Sequence, residues 1–203
     1  MSLKFSEIEY KWAADHVPID QFNDWMFELA PPIRLRRYNE VTGTDTYFCK
    51  GNQVIRQRED GNLPHCLTIK LRRSTESIAN RVEVDMFVDE EPNVSSKFLD
   101  LLGFKPEIAI IKTSYIHSIH DSDVGVTTVI YDVNVVIGKQ KKRRRFIEIE
   151  IDKQDGLSVQ KAMRVLGRWK KKMEKAFELG EPLNQSLFEL YTGKNYAMAK
   201  END

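Results

Sequence analysis

Glu7, Glu9 and Lys11 stand at alternate positions in the run SEIEYKW. Alternate side chains of an extended strand share one face, so these three point one way and Ile8, Tyr10 and Trp12 the other. The pattern recurs late in the chain as RRFIEIEI, with Glu148 and Glu150 on one face and Ile147, Ile149 and Ile151 on the other. Carboxylates gathered on an apolar-backed strand need neutralising, and a divalent cation does so with the fewest groups.

Regular elements must hold these pairs in place. Residues 4–12 alternate as a strand. Pro18 and Asp20 then open an amphipathic helix to about residue 29, with Phe22, Trp25, Met26 and Leu29 at helical spacing, and Pro31-Pro32 stop it. Short strands are expected at 44–49, 53–59 and 65–73, separated by the turn signals Gly51-Asn52 and Asp60-Gly61-Asn62. A fifth strand follows at 81–88, and Pro92 and Asn93 precede a short helix through Phe98, Leu101 and Leu102 that Gly103 ends. Three more strands occupy 107–117, 126–137 and 142–151. A long helix runs from Ser158 to Leu179 with Gly180 as its stop, and a last short one covers 185–191.

The faces sort consistently. Arg56 and Arg58 share one, as do Thr68, Lys70 and Arg72, then Arg81, Glu83 and Asp85, then Asp132 and Asn134. A sheet with one wet face produces the same alternation. Two features argue for a different arrangement: eight such strands would leave a very wide charged surface, and the helices suffice to cover only the apolar side. The reading is therefore α+β, a closed eight-stranded antiparallel barrel with a charged lumen and helices packed outside. Residues 1–193 would form one domain and 194–203 a flexible tail.

Composition limits the function. Among 203 residues, Lys plus Arg and Asp plus Glu each number 31, and this zero net charge argues against holding nucleic acid by bulk attraction. Cys49 and Cys66 are too few for a disulfide framework and fit a reducing, cytoplasmic setting. No apolar run is long enough for a bilayer, so no membrane role is expected. His117 and His120 have a loose metal-like spacing, but on a strand end and a turn it does not converge. The basic run 141–145 and the lysines of 168–175 read as solvated surface.

An ordered set of motifs resembles the CYTH superfamily, the CyaB and thiamine-triphosphatase group of triphosphate tunnel metalloenzymes. It comprises ExExK (Glu7, Glu9, Lys11), DTYF (Asp45 to Phe48), IRQR (Ile55 to Arg58), LTIK (Leu67 to Lys70) and RVEVD (Arg81 to Asp85), then Lys112, Asp132 and FIEIE (Phe146 to Glu150). The set spans about residues 5–151, and the tail LNQSLFELYTG is similar to the family's closing helix. The resemblance implies a tunnel enzyme hydrolysing an inorganic or organic triphosphate with Mg2+ or Mn2+. Lys11, Arg56, Arg58, Lys70, Arg72, Arg81, Lys112 and Arg144 would bind phosphate oxygens. Glu7, Glu9, Asp132, Glu148 and Glu150 would hold metal, with Lys70, Glu7 and Glu9 as the catalytic set.

One position departs from the pattern. The family's sixth strand carries Lys-x-Arg, where this chain reads Lys112-Thr113-Ser114. Arg144, sharing a face with Glu148 by alternation, is the expected substitute, with Arg72 next. Two other functions stay open: cyclisation of ATP to cyclic AMP in the same tunnel, and polyphosphate or nucleotide binding without catalysis. The partner is in each case a small triphosphate-bearing molecule, with the chain a monomer or homodimer.

Overall fold

The computed structural model describes residues 5–61, 65–72, 81–138, 140–152 and 156–195. Side chains of residues 5–7, 70–72, 81–83 and 152 are outside that description. The described elements are β1 (Phe5–Ala13), α1 (Ile19–Phe27), β2 (Ile33–Lys50), β3 (Gln53–Asp60), β4 (His65–Arg72), β5 (Arg81–Val88), α2 (Pro92–Leu101), β6 (Lys105–Asp121), β7 (Val124–Ile137), β8 (Gln140–Asp152), α3 (Val159–Phe177) and α4 (Leu187–Thr192). None of the described helices is long and apolar enough to cross a membrane.

Every described strand pair is antiparallel, in the order β1-β5-β4-β3-β2-β6-β7-β8, and β1 also pairs with β8. The two seams of β1 are unequal. Against β8 it is in register from Glu7 to Ala13, but against β5 only at Phe5, Ser6 and Glu7. Further along that thin seam, the carbonyl of Lys11 accepts from the N–H of Leu183 (2.7 Å). The segment before α4 thus takes up a hydrogen bond that no described β5 residue supplies.

One β2 segment is longer than sequence alternation suggests. Residues 33–43 are mostly charged or exposed, yet they pair with β6 as far as Ile33 opposite Asp121. Ladder hydrogen bonds to a long partner, not an apolar face, hold this part extended.

Three helices cover the outer, apolar face. Phe22 and Met26 of α1 and Val165, Leu166, Trp169, Met173 and Phe177 of α3 pack on Ile8, Trp12, Ile130 and Ile147 to Ile151 at alternate positions. Their spacing of three and four residues makes one stripe per helix. Ser158 caps α3 by accepting from the Lys161 N–H (3.2 Å). Trp169 Nε1 donates to Asp121 Oδ2 (3.1 Å), fixing α3 to the end of β6. Leu99 of α2 packs on Phe48 and Leu67.

The fourth helix corrects the expectation that all helices lie outside. Leu187 and Phe188 of α4 pack with Tyr47, Val54, Ile110, Tyr131, Val133, Val135 and Phe146. By register these belong to the opposite face from Ile130 and Ile147. The inner face is therefore charged at one end and apolar at the other, where α4 inserts. A capping box starts this helix: Ser186 accepts from the Glu189 N–H (3.1 Å), and Glu189 Oε2 accepts from the Ser186 N–H (2.8 Å).

His117 lies on the outer face of β6, fully buried among the rings of Phe22, Phe27 and Tyr38. Burial holds its imidazole down to about 4 from an ordinary 6.5. Below pH 6.5 the unfolded chain gains a proton that the fold refuses, so stability falls as pH drops towards 4. We expect His117→Phe to reduce this acid loss by about 1–2 kcal/mol, read from urea melts of parent and variant at pH 7 and pH 4.5.

Candidate functional site

The inner face gathers one acidic and one basic cluster. β1 and β8 set Glu9 opposite Glu150 and Lys11 opposite Glu148. One carboxylate oxygen from each of Glu9, Glu148 and Glu150 lies within 4.8 Å of the others. Lys11 Nζ sits among them, 3.5 Å from Glu9 Oε1 and 3.6 Å from Glu148 Oε1. Glu9 and Lys11 are deeply covered, at 2% and 5% of full exposure, and Glu148 and Glu150 are partly covered. Charges on an ordinary wet sheet face would be open to water; Glu9 and Lys11 are not.

The basic cluster comes from β3 and β6, with Asp45 of β2 between them. Arg58 Nε donates to Asp45 Oδ1 (2.7 Å) and its Nη2 to Oδ2 (3.0 Å), while Lys112 Nζ reaches Oδ2 at 3.4 Å. Burial pushes the Asp45 carboxyl up, but Arg58, then Lys112 and Arg56, outweigh it and hold it well below the usual range. The Lys112 ammonium is pushed down to about 8, first by burial and then by Arg58, with Asp45 and Glu148 opposing. Arg56 Nη2 donates to Thr68 Oγ1 (2.9 Å), which donates to Asp85 Oδ1 (2.5 Å).

Tyr131 of β7 lies between the two clusters. Its hydroxyl donates to Glu148 Oε2 (2.8 Å), and Lys112 Nζ is 4.9 Å from its ring centroid. Burial, then the charge of Glu148, push its phenol well above the ordinary value, so it stays a donor.

The expected site residues divide as follows. Glu9, Glu148 and Glu150 come together, and Arg56, Arg58 and Lys112 come together. Lys11 sits with the acids rather than with the basic group. Glu7 is placed by register opposite Asp152 and Arg81, Lys70 opposite Glu83, and Arg72 opposite Arg81. Their side chains are outside the described residues.

Asp132 does not join the acidic group, which corrects its assignment as a metal ligand. It pairs in register with Arg145, on the outer face. Its carboxylate accepts from Arg145 Nε (2.7 Å) and Arg143 Nη2 (2.8 Å), and Arg145 also donates to the Val17 carbonyl (2.8 Å). Charge alone cannot tell which face of β7 is inside. Here the uncharged side, Tyr131 and Val133, looks inward.

Arg144 does not fill the place beside Ser114 either. Its Nε donates to Asp15 Oδ2 (2.6 Å), and its guanidinium is about half exposed, with its carbon 5.9 Å from the Phe146 ring centroid. Ser114 is on the inner face, opposite Val41 and Tyr131. Sequence reasoning gave no role to Asp45 or Tyr131. Asp45 could have been found from its alternation with Tyr47 on a strand facing Arg56 and Arg58; nothing in the sequence gives the β7 register that brings Tyr131 to Glu148.

The acidic group fits a hard divalent ion. It offers only carboxylate oxygens, the donors that Mg2+ and Mn2+ favour, with no thiolate or imidazole among its members.

No family model and no curated protein sequence matches the chain. Its fold is similar to that of solved archaeal structures. The PH1819 protein from Pyrococcus horikoshii OT3 has a TM-score of 0.62 at 20% identity, covering 92% of this chain and 98% of its own. The conserved hypothetical protein Pfu-838710-001 from Pyrococcus furiosus gives 0.63 at 22%, covering 91% and 99%. The PH1012 protein from P. horikoshii OT3 gives 0.63 at 18%, covering 91% and 98%. The class these observations define is an α+β protein built on an eight-stranded antiparallel sheet whose inner face carries opposed acidic and basic groups.

Proposed function

We propose that the chain is a metal-dependent triphosphatase of the CYTH type, its sheet forming a tunnel that takes the triphosphate of a small molecule. The observation that carries this reading is the pairing of clusters: Glu9, Glu148 and Glu150 on one wall, Arg56, Arg58 and Lys112 on another, all on the inner face, with Glu9 buried and the others partly covered. A polyanion bridged by a cation satisfies both groups at once.

Arg56 and Arg58 would each present a planar fork to phosphate oxygens, and Lys112 a point charge. Glu9, Glu148 and Glu150, joined by Glu7, would hold Mg2+ or Mn2+. The ion would neutralise phosphate oxygens and acidify a water. Lys70 would belong to the catalytic set, and Lys11 would limit repulsion within the acidic group. In hydrolysis the water oxygen bonds the terminal phosphorus as the bridging P–O bond breaks, releasing orthophosphate. Positioning and charge do most of this work.

A binding-only role has one observation in its favour: Asp45 already engages Arg58 with both oxygens and competes with phosphate for it. Phosphate release from inorganic triphosphate, thiamine triphosphate and ATP, with Mg2+ or Mn2+, separates the readings. Release supports the hydrolase, cyclic AMP from ATP supports the cyclase, and binding without turnover supports the module.

Lys112 gives this site a pH signature. Its charge is lost as pH rises through about 8, so triphosphate affinity should fall between pH 7 and pH 9. The drop should be roughly tenfold, the worth of one charge-assisted hydrogen bond. Lys112→Arg keeps the charge and should flatten the profile. Equal pH dependence in parent and variant would remove Lys112 from the binding set.

A further inference from the structure

We propose that Tyr131 is a positioning residue that aims the Glu148 carboxylate at a divalent cation shared with Glu9 and Glu150. The inference rests on the metal component of the function proposed above.

Glu148 has two oxygens with different neighbours. Oε2 accepts from the Tyr131 hydroxyl at 2.8 Å, and Oε1 lies 3.6 Å from Lys11 Nζ. The Tyr131 ring is itself locked. It is 1% exposed, stacks on Phe146 with centroids 5.7 Å apart and planes at 28°, and carries Lys112 near its face. Phe146 belongs to the apolar core that α4 completes. A rigid ring anchored in that core thus presents one hydroxyl to one carboxylate oxygen.

The choice of donor matters. A lysine or arginine in this place would orient Glu148 but cancel the charge that attracts a cation. A phenol orients the carboxylate through Oε2 without adding a second positive charge to the one Lys11 already brings to Oε1. Groups in this relation to a metal ligand typically change metal affinity ten- to a hundredfold when removed.

The test uses Mn2+ alone, titrated into the full chain and followed by the electron paramagnetic resonance of the free ion. Tyr131→Phe removes the hydroxyl and keeps the ring, with its contacts to Phe146 and Lys112. We expect its Mn2+ dissociation constant to rise about ten- to a hundredfold at a thermal midpoint close to the parent's. Hydrolysis should recover in excess Mn2+, with the metal requirement shifted more than kcat. Glu148→Gln supplies the second arm. If Tyr131 acts through Glu148, adding Tyr131→Phe to Glu148→Gln should weaken Mn2+ binding no further. An affinity within twofold of the parent, or additive losses in the double variant, would overturn this inference alone. A parent chain that binds no Mn2+ would overturn it together with the metal component of the proposed function.

Discussion

Replacing Glu9 and Glu150 together by glutamine should lower kcat/KM for triphosphate hydrolysis by about a thousandfold or more. Both residues keep their shape and lose their charge. They stand opposite each other across the β1–β8 seam, and with Glu148 they form the compact oxygen set of the inner face. A divalent ion contributes several kcal/mol of charge stabilisation, and each 1.36 kcal/mol is a decade in rate. Loss of two of three described carboxylates should remove most of it. The double variant should also fail to bind Mn2+, while its melting midpoint stays equal to or above the parent's, since like charges have been removed from a buried face. Hydrolysis at the parent's rate would show that these carboxylates hold no catalytic metal.

Phe188→Ala should destabilise the fold by about 3–5 kcal/mol, the range for an aromatic truncated in a packed core. Phe188 is fully buried and lies 5.4 Å from Tyr47, centroid to centroid, amid residues of β3, β6, β7 and β8. Against a typical total of 5–15 kcal/mol, that is a large fraction. Urea titration is the measurement. A loss under about 1 kcal/mol would mean that α4 does not fill the inner end.

Much of this architecture is legible in the residues. Alternation in SEIEYKW and FIEIEI locates β1 and β8 and tells their faces apart, because each has one strongly apolar side. The eight strands and four helices fall in the expected order, although β2 and β6 run further than alternation indicates. The illegible parts share a physical cause. β7 reads VGVTTVIYDVNVVI, apolar at both parities, so its inward side depends on a register set by β6 and β8. Asp132 therefore looked like an inner ligand and is instead held outside by Arg143 and Arg145. Arg144 shares parity with Glu148, but parity says nothing about Asp15, which draws its long side chain away. Likewise the apolar stripe of α4 is visible in LFELY, while its destination is a matter of tertiary packing.

The position of α4 also bears on synthesis. Ribosomes make the chain from the N-terminus, and a domain generally folds as a unit. All eight strands are complete by Asp152, yet the apolar end of their inner face is not filled until Leu187 and Phe188 have been added. Until then Val54, Ile110, Val133, Val135 and Phe146 line a vacant space that water enters at a cost. The packing of the sheet is thus complete only once the last helix has been made, and that helix is its stopper.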